Sequence, residues 1–335
     1  MRLKDTALCR IVLIFGLVCD LSVSFAASND RTLVDQFARL AAERFEGSLG
    51  ATMLGASSMN ALAVAVGEHG TIVRAQPNSK SVTQARSVPT RATLTDVALQ
   101  EGGAGVAVGQ WGTILTTKDY GENWSLARQD LKNDRPLFSV AFLSKNDVLA
   151  AGLWGLVLIS HDRGLTWRGV TVPKEPIEGG NDLNVYRIVS AGRGTVYLMA
   201  EKGYVLKSYD YGLHWEYVSR PDNGSLWAGM IDQEGRLVVG GLSGKIFRTS
   251  DGGQTWSQLN DGKNGSVTGI SAEGKNELIA VTTEGAILRW KMQSSAFSVV
   301  STVTQMLTGV IARGDELLLL SDNGVLLSKI PATQN

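Results

Sequence analysis

Seven glycine-centred segments recur along this 335-residue chain, and their spacing constrains the fold more than any single residue does. Four are full copies: Gly67-Glu-His-Gly70-Thr-Ile, Gly109-Gln-Trp-Gly112-Thr-Ile, Gly152-Leu-Trp-Gly155-Leu-Val and Gly241-Leu-Ser-Gly244-Lys-Ile. Three are degenerate: Glu201-Lys-Gly203-Tyr-Val, Thr283-Glu-Gly285-Ala-Ile and Asp322-Asn-Gly324-Val-Leu. The second glycines step by 42, 43, 48, 41, 41 and 39 residues. Glycine flanked by aliphatic and β-branched residues reads as a two-residue hairpin whose tip needs φ > 0. Seven hairpins at a period near 40 residues mean seven stacked supersecondary units.

A second motif is phased with the first. It appears as Thr117-Lys-Asp119-Tyr-Gly121-Glu-Asn-Trp124, Ser160-His-Asp162-Arg-Gly164-Leu-Thr-Trp167, Ser208-Tyr-Asp210-Tyr-Gly212-Leu-His-Trp215 and Ser250-Asp251-Gly-Gly253-Gln-Thr-Trp256. This Ser/Thr-x-Asp-x-Gly-x-x-Trp pattern is the Asp-box, or BNR repeat. Its carboxylate can accept backbone N–H bonds across a turn, and its glycine permits a left-handed residue. The tryptophan then enters the next strand with a ring free to pack between units. Asp119, Asp162, Asp210 and Asp251 therefore read as turn fasteners and not as catalytic acids.

The second repeat shows the expected unit: strands at Thr95–Leu99, Gly105–Val108, Thr113–Thr117 and Trp124–Arg128, with the Asp-box between the third and fourth. One such unit cannot bury both faces, so the units must stack and close. The fold class is all-β: a seven-bladed β-propeller of four-stranded antiparallel blades over residues 48–335, preceded by a short N-terminal helix. Only Ile330 to Asn335 follow the third strand of the last repeat. Closure then rests on a minimal outer strand or on one contributed from near the N-terminus.

Residues 27–47 form the helical segment. Leu33, Val34, Phe37, Leu40, Ala41 and Phe45 share one face at helical spacing over residues 30–46, with Asp30 as N-cap and Gly47 as stop. That face is expected to pack onto the propeller, with partner binding as the other reading. Before it, residues 1–26 read as a cleavable signal peptide: Arg2, Lys4 and Arg10 are basic, Ile11 to Val18 is apolar, and Ser24-Phe-Ala26 offers small residues for cleavage. Acylation at Cys19 is disfavoured by Val18, which stands where a small residue is wanted. Export, to a periplasm or beyond, is the expected location.

Both cysteines, Cys9 and Cys19, lie in that leader, so the mature chain offers no disulfide, thiol or cysteine metal ligand. Cleavage leaves 29 basic against 30 acidic residues. A neutral chain lacks the footprint of a nucleic-acid binder. His69, His161 and His214 fall in three different repeats without metal-ligand spacing. The glycine hairpins are not phosphate loops, because no helix follows them. No cofactor or metal is expected.

Blade geometry places the hairpin between strands two and three on one face, with the interblade connections, and the Asp-box turn on the other. The hairpin tips His69, Trp111, Trp154, Lys202, Ser243, Glu284 and Asn323 are thus displayed together. Arg91 and Arg135 lie on connections reaching the same rim. The partner-binding candidates are His69, Arg91, Trp111, Arg135, Trp154 and Lys202, with Trp111 and Trp154 paired on adjacent blades. Both rings could instead cover neighbouring hairpins. The connection from Val172 to Tyr186, with Glu175, Glu178 and Asp182, reads as a solvated acidic loop or a binding loop.

The run Val88-Pro-Thr-Arg-Ala-Thr-Leu-Thr-Asp-Val97, followed by Val106-Ala-Val-Gly109 and Gly112-Thr-Ile-Leu115, resembles bacterial members of the photosystem II assembly/stability factor-like propeller family. The first, sixth and seventh repeats depart from the Asp-box pattern; Arg74 to Arg86 carries no Asp-Gly-Trp set. The resemblance implies an exported, non-enzymatic scaffold that holds a membrane-associated protein or envelope complex during assembly. The client is photosystem II in photosynthetic organisms and another envelope protein elsewhere. A monomer without nucleic-acid partners is expected.

The alternative is a sialidase-like glycoside hydrolase or a glycan-binding Asp-box propeller. Tyr186-Arg187-Ile188-Val189 is similar to the arginine motif of those enzymes, but it has Val for Pro and lies mid-chain. No spacing assembles the arginines, acid and tyrosine that such a site requires.

Overall fold

The computed structural model describes residues 29–330 except 78, 80, 177–181, 275 and 293. The expected leader and Glu178 lie outside the described residues. Seven antiparallel sheets follow one another along the chain as blades 1 to 7. Their innermost strands are Met53–Met59, Leu94–Leu99, Leu137–Phe142, Val185–Gly192, Leu226–Ile231, Val267–Glu273 and Leu307–Arg313. Blade 2 has strands Leu94–Leu99, Gly105–Gly109, Ile114–Thr117 and Ser125–Arg128, within a residue or two of the sequence expectation.

One hydrogen bond repeats in all seven blades. The residue after the second strand donates its N–H to the carbonyl just before or at the start of the first: Glu68 to Thr52, Gln110 to Thr93, Leu153 to Pro136, Glu201 to Asn184, Leu242 to Ser225, Thr283 to Ser266 and Asp322 to Met306. Blades 4, 6 and 7 make this bond with Ala200, Thr282 and Ser321 at the preceding position, but in the other four the backbone approaches more closely than a side chain allows. A Cβ on Gly67 would come within 2.0 Å of the Thr52 carbonyl oxygen, although Gly67 itself is extended.

The second glycine does need φ > 0, but in two kinds of turn. In blades 1 to 4 the tip residue is left-handed as well: His69, Trp111, Trp154 and Lys202 have φ between 53° and 57°. Bonds such as Thr71 N–H to Glu68 C=O close these turns, the type I′ arrangement. In blades 5 and 6 the bond falls one residue earlier, from Gly244 N–H to Gly241 C=O and from Gly285 to Thr282, and only the glycine is left-handed. The φ > 0 expected at the second glycine thus holds in all seven blades, and the left-handed tip residue is confined to four.

Alternate residues of each blade bury against the next, so the core is divided between neighbours. Val64, Val66, Val97, Leu99 and Leu115 fill the space between blades 1 and 2. Blade 7 has three strands among the described residues, Leu307–Arg313, Glu316–Ser321 and Gly324–Lys329. It closes the ring by packing Leu318 and Leu320 directly on Met53, Ala63 and Ala65 of blade 1. Gly324 N–H also bonds to the Ala51 carbonyl. No strand from near the N-terminus joins its outer edge among the described residues.

Helix α1 spans Asn29–Ala38 and is shorter than the 30–46 expected. A 3₁₀ turn, Glu46–Gly50, holds the expected stop residue Gly47. The face that seats the segment is also different. Leu33, Val34, Phe37, Leu40 and Phe45 are exposed, whereas Ala38 is fully buried. No described helix is long and apolar enough to cross a membrane.

Candidate functional site

The Asp-box face is consumed by its own stitching. Thr117 Oγ1 donates to the Asp119 carboxylate at 2.8 Å and accepts from Gly121 N–H at 3.2 Å. Asp119 accepts from Asn123 N–H at 2.9 Å. Ser160/Asp162 and Ser208/Asp210 repeat the pattern. In the fourth copy the hydroxyl comes from Thr249, not Ser250, which corrects the motif boundary. Burial works to raise the Asp162 and Asp210 carboxyls. The bonds from Thr166 and Ser160, and from His214 and Ser208, outweigh it and hold both down to about 2. Asp251 is lowered chiefly by the Thr255 hydroxyl and amide. Acids this committed are turn fasteners.

Their tryptophans bridge blades. Trp124, Trp167, Trp215 and Trp256 each pack in the layer shared with the preceding blade. Trp124, Trp167 and Trp215 donate their indole N–H to Gly121, Gly164 and Gly212. Trp256 instead reaches Ser219 of the preceding blade, at 2.9 Å.

On the axis, each innermost strand carries a β-bulge after its first paired residue. The residues that follow the bulges are Gly55, Asp96, Ser139, Arg187, Ala228, Gly269 and Gly309. Three consecutive blades therefore place polar groups at one level. Buried Asp96 accepts from Ser139 Oγ at 2.8 Å, Val140 N–H at 3.1 Å, Arg187 Nη1 at 3.2 Å and its neighbour Val97 N–H at 2.9 Å. The small residues of the other blades leave a cavity of about 60 Å³ beside Arg187. Sequence reasoning passed over Asp96. Its signal was a carboxylate at an inward position of the alternating strand Leu94–Leu99.

Arg187 of blade 4 is thus paired with Asp96 of blade 2. Burial, with the charge of Glu201 adding to it, pushes the neighbouring Tyr186 phenol up to about 12. A tyrosine nucleophile needs the opposite shift. Among the described residues no three His, Cys, Asp or Glu side chains converge as a metal site.

The hairpin-tip face remains, and there the six candidates separate. Trp111 is only 8% exposed, packed with Ala38 of α1, Ala92 and Leu131. The expected ligand-binding pair of Trp111 and Trp154 is therefore not displayed, because the N-terminal segment covers one member. Arg91 holds that segment, with Nε 3.1 Å from the Ala41 carbonyl and Nη2 2.7 Å from Glu43. Lys202 pairs with Glu175. Glu175 is buried, which corrects the reading of its loop as simply solvated. Arg135 is half-buried and His69 is exposed. Trp154 is 47% exposed, and of the eight tryptophans it alone is exposed. Its backbone is pinned by Asn184 Oδ1 at 3.0 Å.

His69 borders a groove of about 450 Å³ between blade 1 and the N-terminal segment. Phe37 and Phe45 form its apolar side, and Glu68 and Arg91 its polar side. Sequence reasoning missed this groove, because it arises only once residues 38–50 lie across the rim.

The family description Photosynthesis system II assembly factor YCF48 matches residues 75–240, which span blades 2 to 4 and parts of blades 1 and 5. The chain is a photosystem II assembly factor-like seven-bladed propeller. The family supports a scaffold or assembly-factor role. Among solved structures, one described as YCF48 bound to D1 peptide aligns with TM-score 0.67 and 18% identity, covering 86% of this chain and 98% of the other. YCF48 from Cyanidioschyzon merolae aligns with TM-score 0.66 and 15% identity, covering 84% and 96%. A streptogramin B lyase aligns with TM-score 0.69 and 14% identity, covering 87% and 96%. At these identities the likeness shows the fold, and the lyase shows that propellers also carry catalysts. No curated protein matches by sequence.

Proposed function

We propose that this propeller is an exported, non-enzymatic assembly scaffold that acts as a monomer. It grips a peptide segment of a membrane-protein client on its hairpin-tip rim. The observation that carries the reading is Trp154. The left-handed backbone there belongs to the turn that His69, Trp111 and Lys202 share, but the exposed indole forgoes burial that would help the fold, and exposed tryptophans are favoured anchors at protein interfaces. The homologous YCF48 bound to D1 peptide supplies the precedent for a peptide from a membrane-protein subunit.

Affinity capture from the native envelope tests this. Wild-type protein should retain a defined membrane protein, and Trp154→Asn should lose it with unchanged melting. Equal capture by both proteins would remove Trp154, and the rim reading with it.

A further inference from the structure

The rim already holds a peptide, and it belongs to the same chain. Residues 38–43 lie along blades 1 and 2 as a captured ligand would. Thr90 Oγ1 donates to the Ala38 carbonyl at 2.8 Å. Gln84 Nε2 donates to the Glu43 carbonyl at 2.6 Å. Ala42 N–H bonds to the Val88 carbonyl at 3.0 Å, and Arg91 Nε reaches the Ala41 carbonyl at 3.1 Å. All four bonds read backbone, so any extended chain could make them. Three contacts read side chains, one of them Ala42, half-buried against the layer between blades 1 and 2. Ala38 fills a pocket built by Ala92, Trp111 and Leu131, and Glu43 pairs with Arg91 at 2.7 Å.

The grip is shallow. Of the described side chains in residues 33–47 only Ala38 is buried, while five large apolar ones face outward. Apolar burial stabilises by roughly 25 cal/mol per Å², so Ala38 and the half-buried Ala42 contribute little. Exposed ion pairs such as Arg91–Glu43 add about 1 kcal/mol or less. A groove of about 450 Å³ remains beside the segment. Phe37 and Phe45 of the segment wall this groove, so a displacing peptide that set a large side chain directly against its blade 1 lining, His69 and Thr71, would gain burial that the outward-facing residues of the segment lack.

We infer that residues 29–45 are a displaceable internal ligand, and that the track they occupy accepts an extended client peptide with a small residue followed five positions later by an acidic one. This inference rests on the hairpin-tip rim being the client face. The internal ligand guards that face until such a peptide displaces it. In the free protein it shields Trp111, Thr90 and Arg91 from unselective contacts.

The test uses the full-length protein and a fluorescein-labelled synthetic peptide of residues 29–46. Ala38→Asp with Glu43→Lys loosens the internal segment and leaves the rim intact. The labelled peptide should bind this variant at least 10-fold tighter than wild type, by anisotropy, and a labelled peptide carrying E43K should not. Equal binding to the loosened variant and wild type would overturn the inference. Should the variant melt prematurely, hydrogen exchange on wild type decides. The Ala42 amide should exchange orders of magnitude faster than amides of strand Leu62–Gly67, and comparable protection would overturn the inference. Client capture that survives while peptide exchange fails would refute the internal ligand alone and leave the scaffold reading standing.

Discussion

The Lys202 ammonium lies 3.1 Å from the Glu175 carboxylate, and the two ends of this pair are unequally buried, at 43% and 5% side-chain exposure. The pair ties the long connection between blades 3 and 4 to the tip of blade 4. Tyr217 adds a bond to the Pro173 carbonyl at 3.1 Å. The unequal burial predicts unequal costs. Lys202→Ala strands a buried carboxylate and should cost about 2 kcal/mol, whereas Glu175→Ala leaves a lysine that can reach water and should cost about 1 kcal/mol. Chemical denaturation of the two variants checks the order, and proteolysis between residues 172 and 186 should quicken in both.

Two tryptophans at equivalent tips should behave oppositely. Trp111→Ala empties a packed site beneath α1 and should cost about 3 kcal/mol, with faster proteolysis of residues 29–45. Trp154→Asn keeps a residue tolerant of left-handed backbone and should change stability by less than about 0.5 kcal/mol. Thermal melts of both variants settle the contrast. A large loss at Trp154 would assign its ring to packing.

The ring was legible because glycine spacing reports a backbone requirement. Gly70 and its six counterparts need φ > 0, so their spacing phases the blades directly. The Asp-box was legible for the same reason: its bonds are local, between residues two to four apart. What escaped is non-local. Leu33, Phe37 and Phe45 form an apolar stripe that any periodicity argument turns inward, yet the small Ala38 is what fits against Trp111. Glu175 looked like loop charge because its partner Lys202 lies 27 residues away. Asp96 meets Ser139 and Arg187 only after three blades are stacked.

The Asp-boxes predict an acid limit. The Asp162 and Asp210 carboxyls titrate near 2 when folded, below the 3.8 of a free aspartate. Above about pH 4 both states are ionised, and the full contribution of these turns is present. As pH falls from about 4 through 2 the unfolded chain takes up protons first, so that contribution is lost. Urea midpoints measured from pH 7 to pH 2 should show this fall. Asp162→Asn should lower the midpoint at pH 7 and flatten the decline below pH 4.

Asp96 is predicted to be the costliest acid to remove. Asp96→Ala leaves Ser139 Oγ, Val140 N–H and Arg187 without their acceptor on the ring axis. The expected loss is about 3 kcal/mol, read by calorimetry. Serine at this position should recover little, because its hydroxyl brings no charge to meet Arg187.

The central claim is that clients dock on the hairpin-tip rim and not on the stitched face. Photo-crosslinking from single positions tests it most directly. A photoreactive side chain at position 154 should yield a discrete adduct with a membrane protein in native envelopes, and the same group at position 209 on the Asp-box face should yield none. Adducts from position 209 with none from position 154 would contradict the account.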